Sequence, residues 1–164
     1  MNTNNRTSSK PIKLHPCRTQ YIINEMLLLL ICPAIFLLSG FDANPIRKPT
    51  LIVALLLFLY LVYKYIYIRK ILYIITDEQL IVKHGVLVAI CDYIEFYRVI
   101  DYDEKSGFVQ QLFGLKTVTI YSGDHSTPKL DMKGISVNTD IVPYIRERVE
   151  INKKAKGVYE ITNR

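Results

Sequence analysis

The sequence is poor in the residues from which chemistry is built, with three cysteines and three histidines among 164 residues. Cys17, Cys32 and Cys91 have no metal-ligand spacing. One lies in a strongly apolar segment, one just before it and one in a strand-like region. A structural disulfide is not expected, and a reducing compartment fits. Acylation of Cys17 is one reading, and an inert thiol is favoured over it. His15, His84 and His125 are also far apart, in no metal or triad-like spacing. There is no glycine-rich phosphate loop, no zinc-protease helix motif and no nucleophile elbow. The expectation is a chain without metal, without cofactor and without enzymatic activity.

Acidic charge is scarce in one half only. The net charge is +6. Residues 1–71 hold nine basic side chains against two acidic ones, whereas residues 72–164 hold 12 basic and 13 acidic. The excess of cations therefore belongs to the flanks of the apolar segments. No domain surface is basic enough for nucleic acid, which needs a clustered cationic footprint.

Long apolar runs dominate the first half. Residues 21–41 and 50–68 are each about the 20 residues a helix needs to cross a hydrocarbon core of roughly 30 Å. Neither shows the polar face of a buried soluble helix. A cleaved signal peptide is disfavoured by the second run and by the lack of a small-residue cleavage site. The intervening residues 42–49, with Asp42, Asn44, Pro45 and Pro49, read as a turn. The two helices are therefore antiparallel neighbours. Arg6, Lys10, Lys13 and Arg18 precede them, Arg69 and Lys70 follow, and Lys64 can reach outward from the last turns; the connecting turn has Arg47 and Lys48. This bias places both termini inside. Arg18, Lys64, Arg69 and Lys70 are the candidate membrane-interface residues, and Tyr60, Tyr63, Tyr65 and Tyr67 read as an aromatic belt. Within the first run, Pro33 is expected to kink the helix. Glu25 and Asn24 are candidate polar contacts for a partner, with an interfacial carboxylate near Arg18 as the plainer reading of Glu25.

From residue 71 the period changes to two. Segments 71–76, 79–85, 86–93 and 98–105 read as strands, the second and third joined at Gly85. Residues 107–114 read as a helical or looping corner. The alternation in 117–121 and 129–133 places Val118, Ile120, Leu130 and Met132 inward. Ile141, Ile145 and Val149 then recur at helical spacing, capped by Asn138 or Thr139 and closed by Lys153, Lys154, Lys156 and Gly157. The fold class is a membrane α-helical hairpin plus an α+β domain, an antiparallel sandwich or barrel with a C-terminal helix at its open end.

The segments LHPCR (14–18), YIITDEQLIVKHGVL (73–87) and FVQQLFGLKTVTIYSG (108–123), in this order around two apolar runs, resemble bacterial membrane proteins with a pleckstrin-homology-like domain. The resemblance covers residues 14 to 150 and implies a seven-stranded antiparallel sandwich closed by a C-terminal helix. Gln111 stands where that family often has a basic residue, and Lys116 where it often has glycine. Eukaryotic pleckstrin-homology domains gather Lys and Arg around the loop after the first strand to hold phosphoinositides. Read as that loop, residues 76–79 are acidic, so specific phosphoinositide binding is not expected.

Phe108 and Phe113 are expected to plug the core, with an apolar partner contact as the functional alternative. Asp101 and Asp103 are expected to protect a solvated strand edge, with cation binding as the weaker reading. The chain divides into a basic cytoplasmic segment (1–20), the two-helix transmembrane hairpin (21–68), the β domain with its helix (69–157) and a tail (158–164). Its expected role is a non-enzymatic scaffold or protein-interaction module on a bacterial inner membrane. Its partners are the bilayer and a protein or further copies of itself. A small subunit of a larger export, conjugation or envelope complex is the alternative.

Overall fold

The computed structural model describes residues 10–40 and 46–158. Arg6, the predicted turn residues Asp42, Asn44 and Pro45, and all but the first residue of the 158–164 tail lie outside the described residues. The chain opens with a short strand, β1 (Ile12–Leu14), before two long helices, α1 (Thr19–Ser39) and α2 (Arg47–Lys70). Six strands follow: β2 (Leu72–Ile75), β3 (Gln79–His84), β4 (Ile90–Glu95), β5 (Val99–Lys105), β6 (Leu115–Ser122) and β7 (Lys129–Ser136). A 3-10 turn, Phe96–Arg98, lies between β4 and β5; a short helix, α3 (Phe108–Leu112), precedes β6, and α4 (Ile141–Ala155) closes the chain.

The strands form two antiparallel sheets, β1-β2-β3-β4 and β5-β6-β7. No ladder joins the two sheets among the described residues, so the domain is an open sandwich rather than a closed barrel. The alternation read from the sequence sets its core. Tyr73 and Ile75 of β2, Leu80 and Val82 of β3, Val118 and Ile120 of β6, and Leu130 and Met132 of β7 are buried between the sheets. The turn at Phe96 swings the chain from one sheet to the other, and α4 lays Ile141, Ile145 and Val149 into the same core. Asp140, not Asn138 or Thr139, occupies the N-cap position of α4, without a side-chain capping bond. At the far end the N–H groups of Gly157 and Val158 donate to the carbonyls of Lys154 and Lys153, the paired closure expected of a glycine-terminated helix.

Two departures from the sequence reading shape everything else. First, the segment before the hairpin supplies a strand: Ile12 pairs with Ile75 and Leu14 with Tyr73. The hairpin is thus an insertion between two adjacent strands, and the loop after the first strand is the hairpin itself; residues 76–79 form the second connection. Second, β4 starts at Ile90, not at 86. Gly85 takes φ +108°, and a side chain there would collide with the Val88 carbonyl, so residues 85–89 form a wide turn.

Cys32 and Ser39 of α1 and Ala54 and Leu61 of α2 are buried along the hairpin, with the Cys32 thiol against the Ala54 carbonyl, and Ile68 is buried at its domain end. Ala54, Leu61 and Ile68 recur every seven residues, and the small side chains of Cys32, Ser39 and Ala54 let the backbones approach closely. Most other large apolar side chains of both helices face outward, among them Leu27, Leu30, Leu37, Leu55 and Leu56. Both helices are long and apolar enough to cross a membrane. The break in helical geometry expected at Pro33 falls at Glu25 instead, where φ is −111° and ψ 15°.

Gly134 is the point at which the hairpin meets the second sheet. Its φ is +73°, and an added Cβ would lie 2.9 Å from Cβ of Gln20; its carbonyl accepts the Cys17 N–H at 2.9 Å. A left-handed non-glycine residue costs about 1–2 kcal/mol. The Gly134→Ala variant should therefore lower the unfolding midpoint of the detergent-solubilised protein by at least that equivalent; an unchanged midpoint would contradict this close approach.

Candidate functional site at the base of the hairpin

A cleft of about 410 Å³ opens where the two helices meet the β domain. Tyr21, Asn24 and Glu25 of α1 and Lys64 and Tyr67 of α2 form one wall; His84 of β3, Asp92 of β4 and Lys129, Asp131 and Lys133 of β7 form the other. The β7 residues reach it together because Leu130 and Met132 point to the core and leave the odd-numbered side chains on the opposite face.

Most of the polar side chains here already have partners. His84 Nε2 lies 2.9 Å from Asp92 Oδ2, and its Nδ1 lies 3.2 Å from the Tyr67 hydroxyl. A carboxylate can only accept, so Nε2 carries a hydrogen toward Asp92, while Nδ1 and the Tyr67 hydroxyl share the second bond. This chain ties the last turns of α2 to the β3–β4 hairpin. Lys64 Nζ sits 3.8 Å from Glu25 Oε1, and the Gln20 amide donates to Asn24 at 2.7 Å. Asp131 accepts from the Thr119 hydroxyl at 2.9 Å and faces Lys129 at 3.6 Å. Lys64, Lys129 and Lys133 are matched by Glu25, Asp92 and Asp131, so the lining has no net charge to select an anion. It can donate and accept hydrogen bonds toward a neutral or dipolar group.

Of the residues singled out from the sequence, the structure brings Glu25 and Lys64 together. The partner of Glu25 is therefore Lys64 on the other helix, not Arg18. Arg18, Arg69 and Lys70 stay exposed at the same end of the hairpin without lining the cleft. Arg69 lies over the Tyr65 ring, and Lys70 donates to the Val86 carbonyl at 3.4 Å. Phe108 and Phe113 are not a core plug: they are 78% and 52% exposed on and beside α3. The corner they occupy is held by Gln110, which bonds Gln20 and Thr117 and leaves the rings facing outward. Asp101 and Asp103 lie on the outer strand of the smaller sheet. Asp103 pairs with Lys105, and Glu104 pairs at 3.0 Å with Lys116, the residue standing where glycine is common. Among the described residues no group of three or more His, Cys, Asp or Glu could hold a metal ion.

The sequence reading places Tyr67 in an aromatic belt and leaves His84 isolated, and it misses Asp92 and the β7 lysines as cleft residues. Joining the strands at Gly85 hides the register, in which Val82 faces Asp92 and His84 faces Ile90. The alternation of β7 did carry a signal, since it places Lys129, Asp131 and Lys133 on one face.

Beneath the cleft, the Tyr73 hydroxyl accepts the Lys133 N–H at 3.0 Å and donates to the Lys133 carbonyl at 3.3 Å. Burial pushes its phenol up from 10.0 to about 12, the bond to Lys133 opposing. In the unfolded chain the phenol ionises near its ordinary value. Between pH 10 and 12 the unfolded state therefore holds fewer protons, and stability falls as pH rises. The Tyr73→Phe variant should lose about 1–3 kcal/mol at neutral pH by orphaning a backbone pair. It should also show a shallower alkaline decline in denaturant titrations; an equally steep decline would remove Tyr73 as its source.

Residues 27–149 match the family described as Bacterial PH domain. No curated protein and no solved structure matches the chain. The matched span runs from within α1 through the whole of α2 and every strand from β2 to β7, ending within α4. With two antiparallel sheets, a helix closing the sandwich and a match over most of its length, the chain belongs to the bacterial PH domain family.

Proposed function

We propose that the chain is a non-enzymatic, membrane-anchored scaffold or protein-interaction module, held against the cytoplasmic face of a bacterial inner membrane. The observation that carries this reading is the pairing of β1 with β2, which opens both ends of the apolar hairpin onto one sheet. Lipid is the solvent that suits the outward leucines of α1 and α2. Lys10, Lys13, Arg18, Arg69 and Lys70 gather at the domain end of the hairpin, against Arg47 and Lys48 at the other, which favours a cytoplasmic domain.

The domain offers edges rather than a catalytic centre. β4 and β5 are outer strands of their sheets, and an extended peptide or a second copy can add to such an edge. Specific phosphoinositide binding is disfavoured by the charge balance of the cleft. The acidic connection at 76–79 is also occupied: Arg148 of α4 pairs with Asp77 at 2.8 Å, and the Asn152 amide donates to the Asp77 carbonyl at 2.7 Å. The alternative, a small subunit of a larger export, conjugation or envelope complex, draws on an apolar groove of about 450 Å³ along the hairpin, lined by Leu29, Cys32, Pro33, Phe36, Phe58 and Leu61. Asn24 and Glu25 lend it less, because both are partnered within the chain.

Location is tested with the native thiol of Cys91, which is exposed, in a Cys17→Ser background. A membrane-impermeant maleimide should label inverted membrane vesicles and leave intact spheroplasts unlabelled; the reverse pattern would overturn the orientation. For the scaffold reading, cross-linking in intact cells should trap a discrete larger species that survives detergent extraction. A chain that remains monomeric throughout would sink it.

A further inference from the structure

The hairpin is flanked at its base by two apolar tips that the core does not use. One is the α3 corner, where Phe108, Leu112 and Phe113 are 78%, 70% and 52% exposed. The other is the wide β3–β4 turn, where Leu87 and Val88 are 89% and 69% exposed. Each tip is tied directly to the hairpin. Gln110 of α3 donates to Gln20 in the first turn of α1 at 2.9 Å, and Lys70, the last residue of α2, donates to the Val86 carbonyl.

The α3 corner is also held in shape. The Gln110 side chain accepts from the Gly107 N–H and donates to the Thr117 hydroxyl, while Gln111 donates to the Ser106 carbonyl. Gln110 is thus held by the protein, and Phe108, Leu112 and Phe113 are left outward beside the exposed Gln111. Single exposed apolar residues are ordinary, but a cluster of this kind marks a contact.

We propose that both tips enter the bilayer interface on either side of the hairpin, so that the domain touches the membrane at three places. The occupant follows from continuity: the tips adjoin the residues at which the apolar helices begin and end, with Arg18, Arg69 and Lys70 close by to meet anionic head groups. The proposal rests on the membrane-anchored reading. Side chains of this kind settle roughly 5–10 Å into the boundary between head groups and acyl chains.

The chain contains no tryptophan, so single-tryptophan variants report without background. Full-length Phe108→Trp, Phe113→Trp and Leu87→Trp are reconstituted in phosphatidylcholine–phosphatidylglycerol vesicles, with lipids brominated near the head-group end of the acyl chain. Phe58→Trp on α2 and Ile151→Trp on the exposed face of α4 serve as controls. Quenching at 108, 113 and 87, with none at 151, is the expected result. Quenching at 58 with water-like, unquenched emission at the three tip positions overturns the proposal and leaves the anchor standing. Blue-shifted but unquenched emission at the tips also overturns it, in favour of coverage by protein. No quenching at 58 by a second set of lipids brominated near the end of the acyl chain removes the membrane-anchored reading as well.

Discussion

The antiparallel pairing of β1 with β2 is the constraint on which the rest of the structure depends. It is short, three residue pairs, yet it brackets the whole hairpin. On one side only residues 15–18 separate β1 from α1, and Cys17 within them is bonded to Gly134 of the second sheet. On the other side Ile71 alone separates α2 from β2. Tyr73 joins these restraints: it faces Leu14 across the ladder, is buried, and grips the Lys133 backbone with its hydroxyl. The helices therefore cannot pivot against the domain without breaking sheet hydrogen bonds or withdrawing a core residue.

The polar groups at the domain end of the hairpin follow the same economy. Gln20 bonds Asn24, Glu25 faces Lys64, and the Tyr21 hydroxyl donates to the Leu61 carbonyl at 3.1 Å. Tyr21 and Tyr65 meet edge to face. Unpaired polar groups are costly away from water; the Glu25–Lys64 and Tyr21–Leu61 pairs join α1 to α2, while the Gln20–Asn24 pair lies within α1. Toward the other end, contact passes to the small side chains of Cys32, Ser39 and Ala54, with the Cys32 thiol donating to the Ala54 carbonyl at 4.0 Å.

Much of the architecture was legible because it depends on periodicity. The apolar runs announced α1 and α2, the alternation around Val118, Ile120, Leu130 and Met132 announced two strands of one sheet, and Ile141, Ile145 and Val149 announced α4. β1 was not legible: three residues between Pro11 and His15-Pro16 are too few to show a period, and only their partner identifies them. The cleft was legible in fragments for a related reason. Glu25 stood out as a carboxylate in an apolar run, but Asp92 and the β7 lysines reach it through pairings that no local pattern records. Phe108 and Phe113 show the limit from the other side, since an apolar residue announces that it prefers to be covered without saying by what. Pro33 was expected to kink α1, but the irregular backbone lies at Glu25.

The placement of the hairpin between adjacent strands has a consequence for biogenesis. β1 leaves the ribosome before either apolar helix exists, while its partner β2 emerges only after α2 is complete. During that interval β1 has nothing to pair with. On the membrane-anchored reading proposed above, the four-stranded sheet is finished only when both helices have been threaded and returned to the side from which they set out. Completion of the domain would then be coupled to correct insertion, and a chain whose hairpin failed to return would keep an unmated edge on β2 for the cell's quality-control proteases to find.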